Sequence, residues 1–87
     1  MGDTEEYGIL VHEFAKNATT KICVHVQEFK GTTFLSVREF YEDDVTSEWK
    51  PTKKGITIRP ELYAELLHGV VAAADALGVD VPDGMLD

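Results

Sequence analysis

Lys21-Ile22-Cys23-Val24-His25-Val26-Gln27-Glu28-Phe29-Lys30-Gly31-Thr32-Thr33-Phe34-Leu35-Ser36-Val37-Arg38-Glu39-Phe40-Tyr41 reads as a β-hairpin. From Lys21 to Phe29 the residues alternate, with Ile22, Val24 and Val26 on one side and Lys21, Cys23, His25, Gln27 and Phe29 on the other. Period-two alternation is the signature of a strand buried on one face, here the Ile22, Val24 and Val26 face. Lys30-Gly31-Thr32 places a glycine where a tight reversal is needed, and Thr33 to Tyr41 is rich in β-branched and aromatic residues. In this second strand Leu35 and Val37 share one face, and Phe34, Ser36, Arg38 and Phe40 share the other.

Outward from the hairpin, Tyr7, Leu10 or Val11, and Phe14 fit a helical stripe, but a strand from about Ile9 to Phe14 that turns at Asn17 is favoured. Downstream, Glu42-Asp43-Asp44 breaks the pattern, and Val45 to Lys54 reads as a polar connection carrying Trp49 and Pro51. Gly55 opens a short strand from Ile56 to Arg59. Pro60 fits the first turn of a helix and Glu61 complements its dipole. Leu62, Tyr63, Leu66, Leu67, Val70, Val71, Ala74 and Leu77 then recur at helical spacing, and Gly78 is placed to cap the helix. Gly69, inside that stripe, suggests a close approach by another element. Val79 to Asp87, with Pro82 and Gly84, reads as an irregular tail.

The expected fold is therefore α+β: a sheet of about four antiparallel strands followed by one long C-terminal helix. One domain spanning 1–87 is expected, with its core at about 9–78 and short acidic ends. At 87 residues the core is only just sufficient. The stripe is too extensive for so small a sheet, so Leu66, Leu67, Val70, Val71 and Ala74 are expected to meet a second copy in a two-fold pairing of helices.

Formal net charge is -8, yet all eight Lys and Arg residues lie between Lys16 and Arg59. In so acidic a chain, concentrating the cations in the middle means that position rather than total charge governs binding. Arg38, Lys50, Lys53 and Lys54 alternate there with Phe40, Tyr41 and Trp49, and the turn adds Phe29 and Lys30. Cations that track phosphates beside rings that accept unstacked bases suit single-stranded nucleic acid; a duplex hides its base faces. Against this, Phe29 and Phe40 are equally suited to a core, strand parity turns Tyr41 away from Arg38, and Trp49 better suits a clamp on the connection. Lys53 and Lys54 are neighbours, of which Lys54 is preferred as the ligand contact.

Other classes find little support. No run approaches the roughly 18 to 20 apolar residues of a membrane span. The start, Met1-Gly2-Asp3-Thr4-Glu5-Glu6, is acidic where a signal peptide is basic and then apolar. Glu6 stands where a myristoylation motif needs Ser or Thr. A single Cys23 cannot form an internal disulfide and fits a reducing, intracellular compartment, cytoplasm and nucleoid in a bacterium or nucleus in a eukaryote. His12, His25 and His68 lack metal-ligand spacing, so no metal or cofactor is expected. No phosphate loop or nucleophile motif suggests an enzyme.

Several ordered blocks are more specific than any of these patterns: Glu28-Phe29-Lys30-Gly31, Val37-Arg38-Glu39-Phe40-Tyr41, and Lys50-Pro51-Thr52-Lys53-Lys54-Gly55-Ile56-Thr57 followed by Pro60-Glu61. With them the stretch from Lys21 to about Leu77 closely resembles the single-stranded-DNA-binding domain of the transcriptional coactivator Positive Cofactor 4 family. The resemblance implies a curved antiparallel sheet plus helix, a homodimer formed through the helices, and sheet channels for single-stranded DNA. By position it implies stacking on Phe29 and Tyr41, and phosphate or base contacts from Lys30, Arg38 and Lys54, with Lys50 and Lys53 in support. His25, Gln27, Thr32, Phe40 and Trp49 are expected at the edge of that surface. Gln27 and Thr32 stand where the family commonly has basic residues, and Tyr41 where it can have Trp. The family's Ser- and Lys-rich regulatory arm has no counterpart here. The implied role is transcription regulation or coactivation, or replication and repair on melted DNA, with weak base preference and transcription-machinery proteins as possible partners. A protein-interaction module and a single-stranded RNA binder are the alternatives.

Overall fold

The structure is a computed structural model and describes residues 7–81. The acidic start at 1–6, and Pro82 and Gly84 of the expected tail, lie outside the described residues. Four strands, β1 (Ile9–Ala15), β2 (Thr20–Phe29), β3 (Thr32–Glu42) and β4 (Trp49–Ile58), form an open antiparallel sheet in sequential order. A 3-10 turn at Pro60–Leu62 leads into helix α1 (Tyr63–Leu77).

Local chemistry explains each corner. Asn17 turns β1 into β2: its side-chain oxygen accepts the backbone N–H groups of Thr19 at 3.0 Å and Thr20 at 2.9 Å. The β2–β3 reversal is a two-residue loop, Lys30 at φ 53° and Gly31 at φ 82°, between the paired Phe29 and Thr32. Two positive φ values match the right-handed twist of the strands, and glycine adopts the second without strain. At the end of α1, Gly78 adopts a left-handed φ of 71°, and Val79 N–H returns to the Ala74 carbonyl at 3.1 Å, the cap expected from the sequence.

The β3–β4 corner is fixed by Asp43. One carboxylate oxygen accepts the N–H groups of Val45 at 2.8 Å and Thr46 at 3.0 Å, and the other accepts Lys50 Nζ at 3.0 Å. The Thr46 N–H, the Lys50 ammonium and the Val45 N–H, in that order, lower the Asp43 pKa from 3.8 to about 2. A depressed folded-state pKa means that the corner's contribution to stability is complete above about pH 4 and is lost as pH falls toward 2. Asp43→Asn is therefore expected to lower Tm relative to the native chain at pH 6, with the gap closing between pH 4 and pH 2. Melting curves across that range check it.

Three expectations need correction. First, β4 begins at Trp49 and not at Ile56, so most of the supposed polar connection is strand. The pattern was obscured because β4 is irregular: Gly55 pairs with Arg38 and Pro51 with Phe40, so Thr52, Lys53 and Lys54 oppose Glu39 alone. Thr52 Oγ1 holds this bulge, donating to the Glu39 carbonyl at 3.0 Å and accepting Lys54 N–H at 3.0 Å.

Second, the buried face within the chain is the one carrying Cys23 and His25, which are 0% and 1% exposed; Val26 on the expected face is 37% exposed. Gly8 and Tyr7 account for this reversal. Tyr7 meets Phe40 edge-on with ring centroids 5.3 Å apart, and His25 meets Phe40 at 5.7 Å. The opposite face, which register assigns to Ile22, Val24, Val26, Leu35, Val37 and Ile56, gains little cover, because α1 approaches the strands only marginally beyond its leading 3-10 turn. Third, a Cβ at Gly69 would meet nothing within 4 Å, so no close approach within the described residues explains that glycine.

Candidate nucleic-acid interface

Gly55 is where the sheet admits the shortest approach at the site. A Cβ there would lie 2.7 Å from the Val37 carbonyl oxygen and 2.9 Å from Arg38 Cα, both backbone atoms that cannot yield cheaply. This glycine lets β4 close on β3, which in turn seats Lys54 beside Arg38 at the rim of one recess. Arg38 is half-buried, and its Nη1 donates to the Thr52 carbonyl at 3.0 Å, so the guanidinium is pinned across the bulge.

The expected ligand contacts spread along the β2–β3 hairpin and the neighbouring strand β4. At its tip Phe29 is 64% exposed, and Lys30 Nζ lies 5.3 Å from the centre of its ring. Arg38, Lys53 and Lys54 occupy the middle, with Lys53 and Lys54 both exposed. Tyr41, 37% exposed, stands at the far end and pairs across the strands with Lys50. Nine residues separate Thr32, opposite Phe29, from Tyr41, about 30 Å of strand. Tyr41 keeps the pleat parity of a regular β2–β3 ladder and so faces away from Arg38 and Phe40. It borders a recess shared with Thr19, Glu42, Asp43 and Asp44.

Ion pairing sorts the cations. Lys16 meets Glu39 at 3.0 Å, Lys21 meets Glu13 at 2.8 Å and Lys50 meets Asp43 at 3.0 Å. Each of these carboxylates has a lowered pKa. The Lys16 hydrogen bond is the main cause at Glu39, with the Lys54 charge adding to it, and the Lys21 hydrogen bond is the main cause at Glu13. Asp43 in return raises the Lys50 pKa. Lys30, Lys53 and Lys54 form no ion pair among the described residues.

At the edge of the surface the expectations divide. His25 and Phe40 are each 1% exposed and pack on one another, so neither presents a face to a ligand: both belong to the core, a correction to their place at the edge. Trp49 is half-buried with Lys21 Nζ 4.4 Å above its ring, the arrangement of a clamp. Thr32 is exposed beside the turn, and Gln27 donates from Nε2 to the Tyr7 carbonyl at 2.8 Å. The sequence reading did not single out Tyr7, Phe34 and Thr57, which with Gly8, Gln27, Glu28 and Phe29 line an open recess of about 380 Å³. Its one sequence signal is Gly8, a glycine directly before a strand. Among the described residues no group of His, Cys, Asp and Glu is arranged to hold a metal ion, and no helix is long and apolar enough to cross a membrane.

One open antiparallel sheet of four sequential strands, followed by a single C-terminal helix and carrying exposed cations and rings on β2 to β4, defines a small α+β protein. The chain belongs to the Transcriptional Coactivator p15 (PC4) family, whose model matches residues 16–69. It is 46% identical over 54 residues to the RNA polymerase II transcriptional coactivator SUB1 of Saccharomyces cerevisiae, a match covering 62% of this chain and 18% of that protein. The chain spans less than a third of the length of the curated relatives it matches. Among solved structures, a PC4 homolog from Burkholderia pseudomallei K96243 superposes with a TM-score of 0.72 at 31% identity, covering 77% of this chain and 97% of that one. MoSub1 in complex with ssDNA superposes at 0.55 with 27% identity, covering 80% and 83% of the two chains.

Proposed function

We propose that this chain is a homodimeric single-stranded-DNA-binding protein with weak base preference, acting on melted DNA as a transcriptional coactivator or as an accessory of replication and repair. The observation that carries the reading is the set of cations without an ion pair among the described residues, Lys30, Lys53 and Lys54, with Arg38 and the exposed Phe29 ring on the adjacent strands β2 to β4, in a family with a member solved in complex with ssDNA. Positive groups neutralise phosphates while rings stack bases, so affinity comes from electrostatics and sequence tolerance from stacking.

The two-fold pairing is supported by what the single chain leaves uncovered. The buried apolar side chains among the described residues are Cys23, Phe40 and Ala74, whereas Val26, Ile56, Tyr63, Val70 and Leu77 are 37% to 71% exposed. A radius of gyration of 14.6 Å, against about 12 Å for a compact chain of this length, agrees with a subunit that completes its core with a partner. Leu66, Leu67, Val70 and Val71 would meet the second copy, which would also cover the apolar sheet face; Ala74, expected with them, is 6% exposed in the single chain and so is already covered within it.

The test is an anisotropy titration of labelled oligothymidine over a range of salt. With about five phosphates neutralised per channel, log K is expected to fall with log salt at roughly -3 to -4. A flat salt dependence, or no binding at low salt, contradicts the reading.

A further inference from the structure

We infer that the recess between Tyr7, Gln27, Phe29, Phe34 and Thr57 is a pocket for one unstacked nucleobase, an assignment that rests on the single-stranded-DNA reading above. Its volume of about 380 Å³ falls within the range of small-ligand sites, about 300 to 1,000 Å³. Phe29 and Phe34 contribute aromatic surface, and Tyr7 adds a third ring at the rim. The polar lining is Gln27, Thr57 and the exposed Glu28, whose carboxylate can accept a hydrogen bond from an amino group on the edge of a base. Gln27 Nε2 is engaged by the Tyr7 carbonyl at 2.8 Å, which fixes the carboxamide and leaves its oxygen to accept, while the exposed Thr57 hydroxyl can donate or accept. Lys30 sits beside Phe29 at the same end of the hairpin, where it meets the phosphate of a nucleotide whose base enters the recess.

The pocket depends on the segment before β1. Gly8 has φ +126°, and a Cβ there would lie 2.8 Å from the Val26 carbonyl oxygen and 2.9 Å from Gln27 Cγ. Only glycine lets this segment lie against β2, and that seating carries Tyr7 across the sheet face to Phe40 and to the rim of the recess. Tyr7 and Gly8 precede residues 16–69, the part of the chain that the family model matches.

The experiment walks a single abasic position along an oligothymidine no longer than the binding site and measures affinity at each placement. With the native chain, one placement is expected to weaken binding about tenfold, the scale of one lost base stack. In Gly8→Ala, which keeps the ring but moves it, and in Tyr7→Ala, the penalty at that placement is expected to fall below about twofold while penalties elsewhere persist. Thr57→Val, an exposed change remote from the core, is expected to reduce the same penalty in part and serves where a Tyr7 or Gly8 variant melts early. Equal abasic penalties in the native chain and in Thr57→Val at every placement, or a native profile with no preferred placement, overturn the pocket. Failure of the native chain to bind unmodified oligothymidine instead overturns the single-stranded-DNA reading.

Discussion

Replacing Lys30 and Lys54 together by Ala is expected to weaken oligothymidine binding about 100-fold at low salt while leaving the oligomeric state unchanged. The two ammonium groups stand at different places on the sheet, one at the hairpin tip beside Phe29 and one on the β4 bulge beside Arg38 and Gly55. Neither takes part in an ion pair among the described residues, so their removal leaves no buried partner unsatisfied. The loss should appear as charge: two fewer phosphates neutralised reduce the salt slope by about 1.4. Lys16→Ala is the informative contrast. Its ammonium is held by Glu39, so its removal should leave binding within about twofold of the native chain. Titrations of the three proteins at two salt concentrations separate the outcomes, and an unchanged slope in the double variant contradicts the assigned roles.

The second large effect is expected at the helix. Val70 is 60% exposed in the single chain and lies on the apolar stripe with Leu66, Leu67 and Val71. If that stripe pairs with its counterpart in a second copy, Val70→Glu places two carboxylates in one dry interface, at a cost of about 3 kcal/mol or more. Sedimentation is expected to show a dimer for the native chain and a monomer for the variant. The native Tm should rise with protein concentration, because association stabilises the fold by mass action. A native Tm independent of concentration, together with a variant that melts like the native chain, contradicts the two-fold pairing.

Much of this architecture was legible in the residues themselves. The Lys30-Gly31 reversal, the Asn17 turn, Pro60 at the start of the helical segment and Gly78 at its end each carry a local chemical reason, and each appears where that reason puts it. What misled was any inference that needed a neighbour. Alternation assigned Ile22, Val24 and Val26 to the buried side, but burial depends on what covers a face. Here Tyr7 and Phe40 pack on the Cys23 and His25 side, while α1 leaves the other side largely open. β4 was truncated for a similar reason: three residues opposite one erase the period-two pattern, and only the Thr52 hydrogen bonds show that Trp49 to Ile58 is continuous strand.

The candidate surface divides in the same way. Residue type and order gathered the cations and rings of the middle of the chain into one candidate set, and the family resemblance singled out Phe29, Tyr41, Lys30, Arg38 and Lys54 within it. They did not separate Lys50, which Asp43 holds, from Lys53, which is in no ion pair among the described residues. Nor did they reveal that His25 and Phe40 point inward, or that a segment seated by Gly8 brings Tyr7 to the same face. These are matters of register and close approach, set by contacts between residues far apart in the chain.

The central claim is that the hairpin recognises single strands by phosphate neutralisation and stacking. Its most direct test is competition: a labelled oligonucleotide bound to the native chain, challenged at one salt concentration by the same sequence as a single strand or as a duplex. The single strand is expected to displace the label at a concentration at least about tenfold lower than the duplex, because the duplex offers phosphates but no base faces. Equal displacement by the two would contradict the account.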